Sequence, residues 1–190
     1  LQKGENQLKA SGISKGKTVE DFTTIELQKY DGKENANIFI NAGSNAQYYD
    51  GLSNTAWLED TNFNGFYGYT NGIEKQINRK KIMRSGMHDA LFYTVLEDVD
   101  VYRIKAKNGS YKLSLYFMES DGLKKGERVF DVMVNGKKEV SALDLTDEAG
   151  FCFGIEKTFD IEVTNNEVLI EFNAVSGKTT LSGLELIKTH

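Results

Sequence analysis

The chain of 190 residues carries 23 Lys and Arg against 28 Asp and Glu, which gives a net charge of −5 at pH 7. This length suits one domain with a sizeable core and a short additional segment, and no apolar run is long enough to span a membrane. The acidic balance argues against nucleic-acid binding, which needs a basic surface, and the single Cys152 excludes an internal disulfide and a cysteine-based metal set.

The first predicted element is an N-terminal hairpin. Two short runs, Asn6–Ala10 and Lys17–Leu27, flank the turn-forming stretch Gly12–Gly16. A polar stretch over residues 28–37 follows and is interpreted as a linker. Because the chain starts at Leu1 without a methionine or a signal peptide, we expect it to be a piece of a longer protein.

Beyond the linker the sequence predicts an all-β sandwich. Short runs of branched and aromatic residues are separated by dipeptides such as Asn108-Gly109 and Asn135-Gly136, which suit tight hairpin turns. One helical turn is expected within Asn71–Arg84. The expected strands are residues 37–42, 90–96, 99–106, 110–119, 127–135, 137–144, 155–164, 167–175 and 180–188.

The clearest strand is the one expected at residues 127–135. Its residues alternate in two sets, Phe130, Val132 and Val134 against Val129, Asp131 and Met133. A period of two predicts a strand with one buried and one solvated face. The single charge, Asp131, either faces the solvated side or pairs with a local donor such as Arg128.

The strand pattern breaks down between Gly43 and Asp89, and long irregular segments on a sheet scaffold tend to carry function. Two tyrosines stand among the glycines of Gly65–Gly72. Sugars bind by laying a C–H face on an aromatic ring, with hydrogen bonds from nearby polar groups. We therefore predict a glycan-binding site formed by Tyr67, Tyr69, Trp57, Asp60 and Asn71. The alternative is that these rings close one end of the sandwich as a minor core.

No catalytic site is expected. Glycosidases need two carboxylates set across a cleft, about 5 to 9 Å apart. The neighbouring acids of this chain are interpreted as solvated pairs: Glu59 with Asp60, Asp98 with Asp100, and Glu119 with Asp121. His88 lies beside no nucleophile motif and is interpreted as a loop residue. We expect no cofactor and no metal site, although Asp50, Asp60 and Asp144 leave a loop-bound calcium ion as an open alternative.

Several short motifs follow one another in a fixed order over most of the chain. They are Ile40-Asn41-Ala42-Gly43, Trp57-Leu58-Glu59-Asp60, Ala90-Leu91-Phe92-Tyr93-Thr94, Asn108-Gly109-Ser110-Tyr111, Phe117-Met118-Glu119, Ile170-Glu171-Phe172 and Leu181-Ser182-Gly183-Leu184-Glu185-Leu186. Together they resemble the malectin domain, also called carbohydrate-binding module family 57. The resemblance implies an all-β, galactose-binding-like (malectin) β-sandwich over residues 31–190, preceded by the N-terminal hairpin.

The hairpin carries a resemblance of its own. Its pattern Leu-x-x-Gly-Glu-Asn-x-Leu-x-Ala-x-Gly, followed by Gly16-Lys17 and Asp21-Phe22-Thr23, resembles the last strands of immunoglobulin-like domains in family 2 glycoside hydrolases. The resemblance implies that residues 1–30 are the terminal strands of a preceding domain plus a linker. It also implies the C-terminal module of a bacterial β-galactosidase-like enzyme, in the periplasm or outside the cell.

The family comparison also bears on the sugar site. Animal malectins carry an aromatic pair where this chain has Asp121 and Gly122, and a tyrosine where it has Glu97. Their ligand-contacting aspartate aligns with Gly177 or its neighbours. Among these family positions, only the tyrosine of the glycine-rich loop has a counterpart. The resemblance thus implies that the fold carries over while the diglucose site does not.

These expectations converge on a non-catalytic accessory carbohydrate-binding module of a β-galactosidase-like glycoside hydrolase. It would hold a neutral glycan weakly near the catalytic domain of the parent enzyme. The alternative is a purely structural module that packs against or spaces that domain, which predicts buried aromatic rings and an outward apolar patch. Neither role involves a nucleic acid or a membrane. Glu119, which matches a glutamate of the family, is expected to be a structural hydrogen-bond acceptor.

Overall fold

The computed structural model describes residues 4–27, 37–51, 53–78 and 89–189. The chain divides into two compact units, Leu1–Asp31 and Gly32–His190. Most of the expected linker, and His88, lie outside the described residues.

The first unit is an antiparallel hairpin of strands β1 (Gly4–Ser14) and β2 (Lys17–Leu27). Lys15 and Gly16 join the strands with φ angles of 52° and 75°. Two consecutive positive φ angles define the type of two-residue turn whose twist matches that of paired strands. The predicted hairpin is confirmed, and its first strand is longer than expected. Its assignment to the end of an immunoglobulin-like domain stays a prediction.

The second unit is a β-sandwich, which confirms the predicted fold class. Its strands are β3 (Ile38–Asn41), β4 (Tyr48–Asp50), β5 (Thr55–Glu59), β6 (Tyr67–Thr70), β7 (Ile73–Gln76), β8 (Thr94–Glu97), β9 (Val101–Lys105), β10 (Gly109–Met118), β11 (Val129–Val134), β12 (Lys137–Asp144), β13 (Gly154–Val163), β14 (Glu167–Ser176), β15 (Thr180–Leu181) and β16 (Gly183–Lys188). Helical structure in the described residues is limited to a 3₁₀ turn at Asp89–Tyr93 and one α-helical turn, α1, at Leu145–Glu148.

Three sheets organise these strands. One has the order β13-β10-β16-β3-β5-β4, the second β12-β11-β14-β9-β6, and the third β15-β8-β7. Neighbouring strands run antiparallel except β3 and β5, which pair in parallel through Ile40 with Leu58.

The core lies between the six-stranded and five-stranded sheets. Phe117 of β10 and Phe130 of β11 touch across it, with ring centroids 5.7 Å apart. Burying a large apolar side chain completely stabilises the fold by roughly 1.5–3 kcal/mol relative to leaving it exposed. The fully buried side chains of these two sheets include Ile38, Ile40, Leu113, Leu115, Phe117, Leu184, Tyr102, Ile104, Phe130, Val132, Val168 and Ile170.

Strand β11 follows the predicted alternation. Its residues alternate between partly exposed and buried from Val129 to Val134, and the expected tight turn follows at Asn135 and Gly136 with φ angles of 50° and 79°. Asp131 lies on the partly exposed face, where it pairs with Lys138. Both alternatives for Asp131 are confirmed, since it lies on the solvated face and also pairs with a local donor. That donor is Lys138 and not Arg128, which is buried and pairs elsewhere.

The segment from Gly43 to Asp89 is more regular than predicted, since it contains β4 to β7. One other prediction is only partly right nearby. The strand expected at 90–96 is a 3₁₀ turn at Asp89–Tyr93 followed by β8. The helical turn expected within Asn71–Arg84 stays a prediction, because β7 occupies Ile73–Gln76 and residues 79–84 lie outside the described residues.

Candidate functional site

The two tyrosines of the Gly65–Gly72 loop lie on β6, an edge strand of the five-stranded sheet. Each is only 6% exposed. The Tyr67 hydroxyl donates to the Glu59 carbonyl and the Tyr69 hydroxyl to the Glu74 carboxylate, both at 3.2 Å. Burial raises the pKa of Tyr69 to about 12 and raises that of Tyr67 as well. The expectation that these two rings form an exposed stacking surface is wrong, because both rings are packed into the fold.

Gly68 shows why the loop is glycine-rich. Its φ is 135°, and a Cβ built there would lie 2.4 Å from the Thr61 carbonyl oxygen. The chain at 61–63 passes directly over it, with Tyr69 N–H donating to the Thr61 carbonyl and Phe63 N–H donating to the Tyr69 carbonyl, both at 3.0 Å. This glycine therefore permits one backbone segment to pack on another.

Trp57 belongs to a minor core. It lies on β5, fully buried, and makes edge-on contacts with Phe39 at 5.5 Å and Tyr116 at 5.9 Å between ring centroids. The same cluster contains Ile77, Leu91, Phe92, Val95, Met118 and Cys152, with Tyr48 at its margin. For Trp57 the alternative interpretation, packing, is the correct one. Cys152 is a buried core residue, as its position between two phenylalanines suggests.

Asp60 is a buried structural acceptor. It is 4% exposed and accepts from the Gly43 N–H at 2.7 Å, the Thr61 N–H at 2.9 Å and the Tyr102 hydroxyl at 2.6 Å. Burial raises its pKa to about 6, even though these three donors favour the ionised form. Asn71 is exposed and donates to the Asp100 carboxylate at 2.5 Å. Of the five predicted site residues, Asn71 alone is exposed, so the five do not form one solvent-facing surface.

A cluster of charged side chains lies near the ends of several strands. We call it the ion-pair cluster; its members are Lys75, Glu97, Glu119, Asp121, Arg128 and Lys178. Arg128 is 3% exposed at its side chain and donates to Glu119 and to Asp121, both at 2.7 Å. It also lies 3.4 Å from Glu97, which pairs with Lys178 at 3.0 Å. Lys75 joins the cluster through Asp121 and, at 3.5 Å, through Glu97.

The cluster contains Glu97 and Asp121, two of the positions that the sequence resemblance is expected to align with sugar contacts of animal malectins, and Lys178 is the neighbour of Gly177, expected at a third. The three cationic side chains of the cluster balance the charge of its three carboxylates. Burial by itself would raise the pKa of Asp121, yet its hydrogen bond to Lys75 and the nearby charge of Arg128 hold that pKa below its usual value. The side chains at these expected positions are therefore engaged in ion pairs with one another.

Glu119 anchors the inner side of the cluster. It is fully buried and accepts from the Asp121 N–H and from Arg128 Nε, both at 2.7 Å. The expectation of a structural acceptor is thereby confirmed. Asp144 and Asp50 are also engaged locally, Asp144 as the N-cap of α1 and Asp50 as an acceptor from Ser53. Among the described residues no three His, Cys, Asp or Glu side chains are arranged to hold a metal ion.

A further polar and aromatic surface lies on the outer side of the five-stranded sheet. Arg103 and Lys105 of β9 both reach Glu167 of β14, and the Arg103 guanidinium lies 4.3 Å from the centre of the Phe63 ring. Phe66, 38% exposed, accepts at its carbonyl from the Lys105 N–H at 2.7 Å. Sequence reasoning missed this group, because its members come from three separate segments.

Comparison with known proteins identifies the class. The sequence profile of the malectin domain matches residues 36–187, and the chain belongs to this family, whose domains are non-catalytic and of carbohydrate-binding type. No curated protein sequence matches the chain. No helix among the described residues combines the length and hydropathy needed to cross a membrane.

Two solved structures illustrate its relatives. A beta-glucuronidase of Bacteroides uniformis matches with a TM-score of 0.80 and 25% identity, over 100% of this chain and 23% of its own. The ectodomain of ANX1 from Arabidopsis thaliana matches with a TM-score of 0.67 and 18% identity, over 80% of this chain and 48% of its own, and shows the fold alone. The chain thus spans about a quarter of the length of the bacterial enzyme that it resembles.

Proposed function

We propose that the chain is a non-catalytic accessory module of a glycoside hydrolase. The observation that carries the proposal is the match of its full length, hairpin included, to a part of the Bacteroides uniformis beta-glucuronidase that makes up 23% of that enzyme. A β-galactosidase-like parent, with the catalytic domain as the module's partner, is the narrower form suggested by the hairpin motif. A periplasmic or extracellular location belongs to the same proposal.

Within this role the geometry favours packing or spacing over glycan capture. The rings proposed to stack on a sugar, Tyr67, Tyr69 and Trp57, are buried. The positions expected from the family resemblance to contact sugar carry the charges of the ion-pair cluster, which pair with one another. Buried aromatics are the feature that separates a structural module from an open binding platform.

Sequencing the complete reading frame tests the assignment to a glycoside hydrolase. The reading frame that encodes this chain is expected to encode a glycoside hydrolase catalytic domain as well. A frame that encodes only this module, or joins it to a receptor kinase, would contradict the proposal. The purified chain is expected to release no product from aryl β-galactosides or aryl β-glucuronides. Product release that co-purifies with the folded chain would show that the module itself is an enzyme.

Weak binding of a neutral glycan at the Gly65–Gly72 loop is the second candidate function. Membership of the malectin family and the exposure of Asn71 and Phe66 at this loop favour it. Because this surface is open, we expect a dissociation constant near the millimolar range, which corresponds to a binding free energy of roughly −4 kcal/mol. Asn71→Ala should weaken such binding, whereas Asn173→Ala, an exposed residue on β14, serves as the control. Identical titrations of both variants and the native chain would rule this site out.

A further inference from the structure

The outer side of the five-stranded sheet presents two cations beside aromatic rings. We call this surface the Arg103 patch; it consists of Phe63, Phe66, Arg103, Lys105 and Glu167. Arg103 and Lys105 alternate with buried residues along β9, so their side chains point away from the core in the same direction. Their side chains are 37% and 39% exposed.

One carboxylate serves both cations. Glu167 accepts from Arg103 Nε at 2.6 Å and Nη2 at 3.1 Å, and from Lys105 Nζ at 3.2 Å. The hydrogen bond to Arg103 lowers the pKa of Glu167, so this carboxylate stays charged near neutral pH. Glu167 thus joins two cationic side chains on one partly exposed face of a chain whose net charge is −5.

The aromatic part of the patch lies beside these cations. The Arg103 guanidinium covers the Phe63 ring at 4.3 Å, and the hydrogen bond between Phe66 and Lys105 ties the loop to the same strand. Asn62 and Asn64 of that loop are exposed. An exposed ring, amide side chains and two cationic side chains together suit a ligand with an apolar ring face, hydroxyls and a carboxylate.

We propose that the Arg103 patch binds saccharides that carry a carboxylate, such as glycans with a uronic acid residue. The sugar ring packs on Phe66, and its carboxylate accepts hydrogen bonds from Lys105 and from the outer edge of the Arg103 guanidinium. This site is distinct from the ion-pair cluster and from the buried tyrosines. It does not depend on the packing role, which the gene tests separately.

A matched pair of ligands tests the proposal on the 190-residue chain. Cellobiouronic acid and cellobiose differ at one carbon, a carboxylate against a hydroxymethyl group. In ¹H–¹⁵N NMR titrations the acidic sugar is expected to shift the amides of residues 63–66 and 103–105 with a Kd in roughly the millimolar range. Cellobiose and sodium acetate are expected to bind at least about fivefold more weakly, since each lacks one half of the recognised chemistry. Added salt should weaken binding of the acidic sugar, because it screens the attraction between the carboxylate and the cations.

Variants locate the site. Lys105→Gln and Phe66→Ala are each expected to weaken binding of the acidic sugar about fivefold. Their controls are Lys112→Gln, an exposed ion-pair partner on β10, and Phe151→Ala, 42% exposed elsewhere; both should leave binding unchanged. Equal binding of cellobiose would overturn the role of the cations, and equal binding of acetate would overturn the role of the sugar. The absence of saturable shifts, or shifts confined to Lys75 and Lys178, would overturn the site.

Discussion

Replacing Arg128 with methionine should destabilise the sandwich more than any surface charge change. The guanidinium is 3% exposed and lies between Glu119, which is fully buried, and Asp121. Methionine has a similar apolar length but leaves the Glu119 carboxylate buried without its cation. Removing one partner of a buried ion pair costs about 3–5 kcal/mol. Because domains of this size melt about 2–4 °C lower per kcal/mol, the melting temperature should fall by roughly 10 °C.

Urea unfolding followed by fluorescence measures this loss. Lys138→Met is the matched control, since Lys138 of β12 is 48% exposed and pairs with Asp131 on the solvated face of β11. Exposed pairs contribute at most about 1 kcal/mol, so the control should change little. The double variant Arg128→Met with Glu119→Gln should recover part of the loss, since it removes the orphaned charge. Equal unfolding free energies for Arg128→Met and Lys138→Met would refute the view that the cluster is a buried structural tie.

Three further predictions concern stability. Burial raises the pKa of Asp60 from 3.8 to about 6, so folding favours its protonated form. The unfolding free energy of the native chain, measured relative to Asp60→Asn, should therefore be highest below about pH 4. It should fall by up to about 3 kcal/mol as the pH rises through 6. Urea unfolding at pH 4 to 7 checks this, and a pH-independent difference would contradict it. Ala142 has a φ of 49°, a backbone conformation that is strained for alanine. Ala142→Gly should stabilise the fold by about 0.5–1 kcal/mol, because the strain it relieves exceeds the entropy that glycine adds to the unfolded chain. Calorimetry measures this change, and a lower melting temperature would speak against it. Deleting residues 1–30 should leave the melting temperature nearly unchanged, because β1 and β2 belong to no sheet of the second unit; a loss of several kcal/mol would show the hairpin to be part of the sandwich.

The fold was predictable wherever strands are long and alternate. From Val101 onward most of the expected strands match the observed ones to within a few residues, since each has one buried and one solvated face. Strand β6 was missed because Tyr67, Gly68 and Tyr69 are all buried, so no alternation exists to detect. The 3₁₀ turn at Asp89–Tyr93 was mistaken for a strand because its composition of bulky apolar residues is typical of both.

The site was less predictable, because its contacts are distant in sequence. Lys178 and Glu97 are 81 residues apart and meet only when β8 and β15 pair. The same limit hid the patch formed by Arg103, Glu167 and Phe63. The role of Glu119 could be inferred from its place in a family motif. The burial of Tyr67 and Tyr69 could not be inferred from the sequence. Glycines that make a loop accessible to a ligand also allow a second segment of chain to pack over it, as at Gly68.

The most direct test of the account is an NMR titration of the ¹⁵N-labelled chain with glucose disaccharides. The chain has the malectin fold, and we propose that the ion-pair cluster replaces the diglucose contacts expected from the family. We expect no saturable shift at the amides of Glu97, Asp121, Gly122 and Lys178 up to about 20 mM sugar, which corresponds to binding weaker than roughly −2 kcal/mol. Saturable shifts at these four amides with a submillimolar Kd would contradict it.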